Sequence, residues 1–283
     1  MDYSHDRITD ESLKFVREHK DEPFFLYLCP TIPHANNEAG ADGMEVPDYG
    51  DYAKKNWPRP EKGKAAMISR MDADVGRLLA LLRELKIDDN TLIVFSSDNG
   101  PPANEGGRLP EFNNSNGSLR GFKGQMYDGG IRVPFIARWP GRIKPATTTD
   151  SPVYFADVMP TLAKVGGGAL PPEIDGLVIS PTLFGEDQPE LNDRFMYWEF
   201  GKFGVYSAGA RWGNWKAVRD IKTKQIELYD LATDIGESHD VAAEHPEIVA
   251  KFKNYFDSAR SDSADWPLVS SASPPAKNAK AGR

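Results

Sequence analysis

Apolar residues recur at steps of three and four along Met67, Met71, Val75, Leu78, Leu82 and Leu85, which is the spacing that lines one face of a long helix starting near residue 64. The same kind of spacing through Leu13, Phe15 and Val16 to His19 predicts an earlier helix, capped by Thr9, Asp10 or a neighbour and broken at Glu22 and Pro23. Each helical stretch runs into a short apolar block, 24–28 (FFLYL) after the first and 91–95 (TLIVF) after the second. Helix followed by buried strand, repeated, predicts an α/β fold with a mostly parallel sheet and a site at the carboxyl ends of its strands. Residues 133–139 read as a further strand, and Asp157 as the cap of a helix with Pro160 in its first turn. From residue 195 the pattern changes to short aromatic-rich runs, 195–198, 210–212, 215–218 and 226–229, followed by a helical stretch from 246 to 259. These predict a small α+β domain with an antiparallel sheet.

The intervening segments 35–62, 101–120 and 166–185 are rich in Gly, Pro and Asn and predict surface loops. The expected organisation is an α/β domain over 1–188, a C-terminal α+β subdomain over 189–265 and a disordered tail over 266–283. A net charge of −8 in 283 residues, with no basic stripe, argues against nucleic-acid binding. No apolar run approaches the roughly 20 residues that span a bilayer. The N-terminus is too polar for a signal peptide. Cys29, the sole cysteine, excludes an intrachain disulfide and reads as a small buried hydrophobe at the end of a strand.

Candidate chemistry gathers where the apolar blocks end. The 91–95 run stops at Asp98 and Asn99, a carboxylate and an amide carbonyl side by side, hard oxygen ligands of the kind calcium or magnesium takes. Lys123 lies near Gly121 and Gly124, where little side-chain bulk keeps an anion from its ammonium and the backbone N–H groups. Asp128 and Arg132 flank Gly129 and Gly130 and read as an ion pair bracing that loop, with Arg120 in a similar role. Trp198, Trp212 and Trp215 read as core of the small sheet rather than a sugar-stacking wall, while Arg211 and Lys216 are placed to meet an anionic glycan. His5, His19, His239 and His245 show no ligand spacing and read as surface residues.

Four segments in order, FFLYLCPTIPH at 24–34, SSDNG at 96–100, GFKGQMYDGGIRVPFIARWPG at 121–141 and LYDLATDIGESHDVA at 228–242, resemble the type I sulfatases of the alkaline-phosphatase-like superfamily. The resemblance implies that Asp98 and Asn99 bind the metal, calcium or alternatively magnesium. It implies that His34 and Lys123 are catalytic groups on the sulfate. The family often has Pro two places after this His where this chain has Asn36, a departure that makes Asn36, Asn37 and Glu38 candidate local substrate contacts. The family's nucleophile is a formylglycine made from Cys or Ser in Cys/Ser-x-Pro-Ser-Arg, and no such motif occurs in these residues. The expectation is therefore a C-terminal portion of a sulfatase, inactive alone, whose complete form hydrolyses aryl sulfates or sulfated carbohydrates. A periplasmic or secreted location follows from the family, with any signal in the absent N-terminal part. A phosphodiester or phosphonate hydrolase of the same superfamily and a noncatalytic remnant that binds sulfated glycan are the competing readings.

Overall fold

A computed structural model describes residues 2–202, 205–261 and 263, so the tail expected to be disordered lies outside the described residues. In chain order the helices are α1 (Ser4–Glu18), α2 (Arg59–Glu84), α3 (Pro110–Asn113), α4 (Asp128–Ile131), α5 (Val158–Val165), α6 (Ser180–Leu183) and α7 (Pro246–Ser258). The strands are β1 (Ile93–Phe95), β2 (Ile136–Arg138), β3 (Phe195–Lys202), β4 (Val205–Trp212), β5 (Trp215–Asp220) and β6 (Ile226–Asp230). They form two compact units, neither continuous in sequence. One comprises Met1–Gly117, Val133–Asp150 and Ala156–Gln188; the other comprises Ser118–Arg132, Ser151–Phe155 and the chain from Pro189 onward.

In the first unit α1 and α2 run in the same direction. Their cross-links Asp6 to Arg70, Asp10 to Arg77 and Arg17 to Glu84 keep a nearly constant separation of 64 to 67 residues. Helix α1 begins at Ser4 rather than near Thr9, because Thr9 is buried against α2 and donates to Asp74 at 3.3 Å. His5 is likewise buried, not a surface residue, and its Nε2 lies 2.9 Å from the same carboxylate. Val16, Leu81 and Leu82 form the core between the helices, and Phe24, Leu26 and Ile93 pack onto it. Segment 24–28 thus turns alternate residues inward as a strand would. It has no ladder partner among the described residues, and Phe25 and Tyr27 are 69% and 70% exposed. Cys29 follows the same alternation and is exposed, which corrects its reading as an interior hydrophobe.

Among the described residues, strand pairing in this unit is confined to β1 and β2. β1 and β2 are antiparallel, joining Ile93 to Arg138 and Phe95 to Ile136, where helix–strand alternation predicts parallel neighbours. The strand read over 133–139 contracts to three residues, as Pro134 has no N–H to give a ladder. Asp157 does precede α5, but its carboxylate accepts from Leu177 N at 2.8 Å and ties down the following loop instead of capping the helix.

Arg138 of β2 grips Asp88 with two hydrogen bonds of 2.6 and 2.7 Å. Those bonds hold the Asp88 carboxyl below the usual carboxylate range. A depressed folded value means the pair stabilises above the unfolded carboxylate value of about 3.9, and is lost as pH falls through the folded one. Asp88→Asn should therefore lower the urea midpoint at pH 7 and leave it nearly unchanged at pH 2. An equal gap at both would show that the pair's charge is not what stabilises.

The second unit is built on an antiparallel sheet in the order β3-β4-β5-β6, with register Tyr197 to Ala210, Ala210 to Ala217 and Ala217 to Leu228. Those residues and Ala208 face α7, where Phe252 and Phe256 complete the core. Trp212 and Trp215 pack at its margin, and Trp212 stacks on Phe195 at 5.8 Å. The alternate residues Trp198, Phe200, Gly209, Lys216, Glu227 and Tyr229 face the other way. Strand alternation alone predicts that this face meets water, yet Lys216 is fully buried and so cannot offer its charge to a surface glycan. Segments Ser118–Arg132 and Ser151–Phe155, distant in sequence, cover that face: Tyr154 meets Trp198 edge-on, and Tyr127 meets Tyr229.

Candidate functional site

Strand β1 ends in Ser96 and Ser97, and the chain then bends through Asp98 and Asn99 before the buried Gly100. Asp98 is exposed, and Ser97 Oγ donates to its Oδ1 at 3.4 Å. Asn99 Nδ2 donates to the Gly100 carbonyl at 2.9 Å. That bond fixes the amide and directs its oxygen along the other arm of the side chain. The Tyr27 hydroxyl is held above its ordinary value, mainly through its interaction with the Cys29 side chain, with the Asp98 charge adding a smaller push in the same direction. Phe24 and Leu26 of segment 24–28 and Ile93 of β1 pack on the same core cluster.

His34 follows a cis Ile32–Pro33 bond, and its backbone N–H donates to Thr31 O at 3.0 Å. Its Nδ1 lies 2.7 Å from the Ala35 carbonyl, which can only accept, so Nδ1 carries a proton. Nε2 faces Glu105 Oε2 at 3.4 Å, an ion pair whenever the ring is protonated. Glu105 sits in a loop whose next residue, Gly106, approaches Ala35 so closely that a Cβ there would lie 2.8 Å from the alanine methyl. Asn36 is less available than its sequence position suggests. Its amide donates to Glu45 at 3.0 Å, and its oxygen accepts from Glu38 N at 3.1 Å, which caps the turn of 3-10 helix over Asn37–Asp42. Asn37 opens that turn and is exposed.

Lys123 belongs to the second unit, half-buried at a turn between Phe122 and Gly124. Gly121 and Gly124 adopt φ of 86° and 88°, which a side chain would strain. The loop then closes on itself. Gln125 N donates to Phe122 O at 2.9 Å, Gln125 Oε1 accepts from Phe122 N at 2.9 Å, and Gly129 N donates to Arg120 O at 2.7 Å. Asp128 and Arg132 form the expected pair, at 2.7 Å. Arg120 donates to Glu237 O, Tyr229 Oη and Tyr127 Oη at 2.7, 2.9 and 3.1 Å, and both tyrosines donate to Glu227. Burial first, then the Glu227 bond, pushes the Tyr127 hydroxyl up to about 12.

Residues 1–168 match the sulfatase family model. The chain belongs to the sulfatase family. A second family model, of the C-terminal region of N-sulphoglucosamine sulphohydrolase, matches residues 121–262. The chain is 29% identical over 282 residues to an N-acetylgalactosamine-6-O-sulfatase of Bacteroides thetaiotaomicron, a match that takes in 90% of this sulfatase chain and 50% of the relative. It is 33% identical over 217 residues to the steryl-sulfatase of Mus musculus, covering 75% of this chain and 32% of that one. Among solved structures it resembles Ps i-CgsB in complex with k-i-k-neocarrahexaose, with a TM-score of 0.78, 27% identity, and 91% and 55% of the two chains covered. The sulfatase chain thus spans half or less of the length of these curated relatives.

Sulfatases generally use a metal ion and a formylglycine. The donors at the end of β1 fit a hard cation in kind, being one carboxylate and one amide oxygen. They fall short in number, since calcium takes about 6 to 8 oxygens, and no cluster of three or more His, Cys, Asp or Glu suited to a metal occurs among the described residues. Sequence reasoning missed Glu105 and Glu237, and it assigned Lys216 to a surface glycan when its ammonium is buried between two carboxylates. Glu237 lies inside the matching segment 228–242, the one signal that could have singled it out.

Proposed function

We propose that the complete protein hydrolyses sulfate esters, with a sulfated carbohydrate as substrate. Support comes above all from the exposed Asp98 carboxylate and oriented Asn99 amide at the end of β1, in a chain whose first 168 residues match the sulfatase family. The names of the bacterial relative and of the carbohydrate-bound structure favour a sugar sulfate over a phosphodiester or phosphonate. Asp98 and Asn99 would hold two positions on a calcium ion. When bound, that ion would neutralise part of the sulfate charge. Lys123 places a fixed positive charge for an ester oxygen that becomes negative as its bond to sulfur breaks. His34, whose Nδ1 proton is held by Ala35 O, would donate from Nε2 to a sulfate oxygen or the departing alcohol only as the imidazolium, and only after Nε2 leaves Glu105. Asn37 remains a candidate contact for the sugar, while Asn36 would first have to release Glu45 and Glu38.

Two oxygens make a weak site, so calcium titrated calorimetrically into the 283-residue chain should bind weakly, and Asp98→Ala should abolish the heat. Unchanged binding in the variant would remove Asp98 from the metal site. The same chain should not turn over an aryl sulfate, because it contains no Cys/Ser-x-Pro-Ser-Arg. Turnover that Lys123→Ala abolishes would refute the assignment of the nucleophile to other sequence.

A further inference from the structure

The ammonium of Lys216 is completely buried on the sheet face opposite α7 and is shared between two carboxylates. Its Nζ lies 2.8 Å from Asp128 Oδ1 and 3.3 Å from Glu237 Oε1. The two acids are themselves joined, since the backbone N–H of Asp128 donates to Glu237 Oε2 at 2.6 Å. The other Asp128 oxygen is held by Arg132 at 2.7 Å. Three pieces of chain distant in sequence, the glycine loop, strand β5 and the turn after β6, therefore meet at one ammonium. Burial would raise both acids. At Asp128 the combined charge of Lys216 and Arg132 outweighs burial and lowers it, whereas at Glu237 burial prevails and raises it.

A buried ion cluster of this kind contributes little net stability, because desolvation offsets most of the attraction; its best-attested use is to fix register. The geometry here suits that use. Lys216 crosses beneath Gly209 of β4, where an added Cβ would lie 3.7 Å from Lys216 Cε and 3.1 Å from Met126 Cβ. Met126 thus rests on the sheet three residues after Lys123, and Asp128 is pinned two residues further on. The loop is left with little freedom to slide or tilt.

We propose that Lys216 is a positioning residue: by bridging Asp128 and Glu237 it fixes the frame of the 121–130 loop and so sets the direction in which Lys123 projects. This rests on the reading of Lys123 as a sulfate-contacting group, but its test does not. Lys216→Met keeps the length and packing of the side chain and removes the charge. Amide hydrogen exchange of the 283-residue variant should rise at least tenfold more in peptides covering 121–131 than in those covering β4 and β5, and Lys123 should acylate at a different rate. A cluster that merely adds stability would speed exchange in the sheet as much as in the loop. That pattern, or no change in the loop, overturns the proposal. If Lys216→Met does not fold, Glu237→Gln, which keeps the shape and one oxygen acceptor, is judged by the same contrast. The Lys123 reading is tested separately, by whether sulfate slows Lys123 acylation in the wild-type chain. Its failure would leave the loop result standing.

Discussion

Alanine at position 130 is expected to destabilise the sheet-bearing unit by at least about 3 kcal/mol, because the added methyl has nowhere to go. A Cβ at Gly130 would lie 2.2 Å from Gln125 O and 2.5 Å from Phe122 O, and both neighbours are backbone atoms that cannot rotate aside. The φ angle of Gly130 is not in the left-handed region, so the demand is purely one of space. Next to it, a Cβ on Gly129 would lie 2.4 Å from Gly121 O. The double glycine is thus required by the way the loop folds back on its own carbonyls. Urea unfolding followed by tryptophan fluorescence would measure the loss. Gly76 in the interior of α2 serves as a control, for nothing lies within 4 Å of its added Cβ. Gly76→Ala should be neutral or stabilise by up to about 1 kcal/mol. A Gly130→Ala midpoint equal to wild type would mean that the loop opens easily, and would undermine the account of Lys123 as a held group.

If the proposed function holds, Lys123→Ala in the complete protein should lower kcat by about 10²- to 10³-fold, the range found when one preorganised donor to a developing oxyanion is removed. KM should change far less, because the charge at the leaving oxygen is greatest in the transition state. Lys123→Arg should recover little, since a planar guanidinium is larger and directs its donors differently. Steady-state kinetics on an aryl sulfate and on one with a better leaving group would separate the roles. If Lys123 neutralises the leaving oxygen, the loss should shrink as that oxygen becomes more acidic. An equal loss on both substrates would place the lysine on the sulfate oxygens alone.

Much of this architecture is legible in the chain because local periodicity and core packing agree. α2 was readable from Met67 to Leu85, α7 from the pattern after Pro246, and β3 to β6 from the aromatic runs with their intervening turns. The start of α1 was not, since Thr9 looks like a cap and only the approach of Asp74 from α2 shows why it is not one. Cys29 was misread for a related reason. An apolar run marks a strand, but only its neighbours decide whether both of its faces are covered, and here the face carrying Phe25, Tyr27 and Cys29 is open. Lys216 erred in the opposite direction. A lysine alternating with Trp215 and Ala217 looks solvated until a segment almost ninety residues earlier lies across it, with Asp128 as its partner. For the site, the motif residues His34, Lys123, Asp98 and Asn99 stand out by composition and order. Glu105 and Glu237 do not, because their roles exist only through long-range contacts.

The discontinuity of the sheet-bearing unit bears on how such proteins can be recombined. A cut after Gln188 looks like a clean seam, with helices before it and sheet after it. Yet Ser118–Arg132 takes its shape from side chains on β5, on β6 and in the turn after β6. A chimera joined at that seam would pair one protein's lysine loop with another protein's sheet. Lys216, Glu227, Tyr229 and Glu237 would then have to be inherited with Arg120 and Asp128, or the loop would arrive without its mould. Selection on either half is therefore selection on both, and exchange between relatives should succeed only where the breakpoints carry the loop and the sheet together.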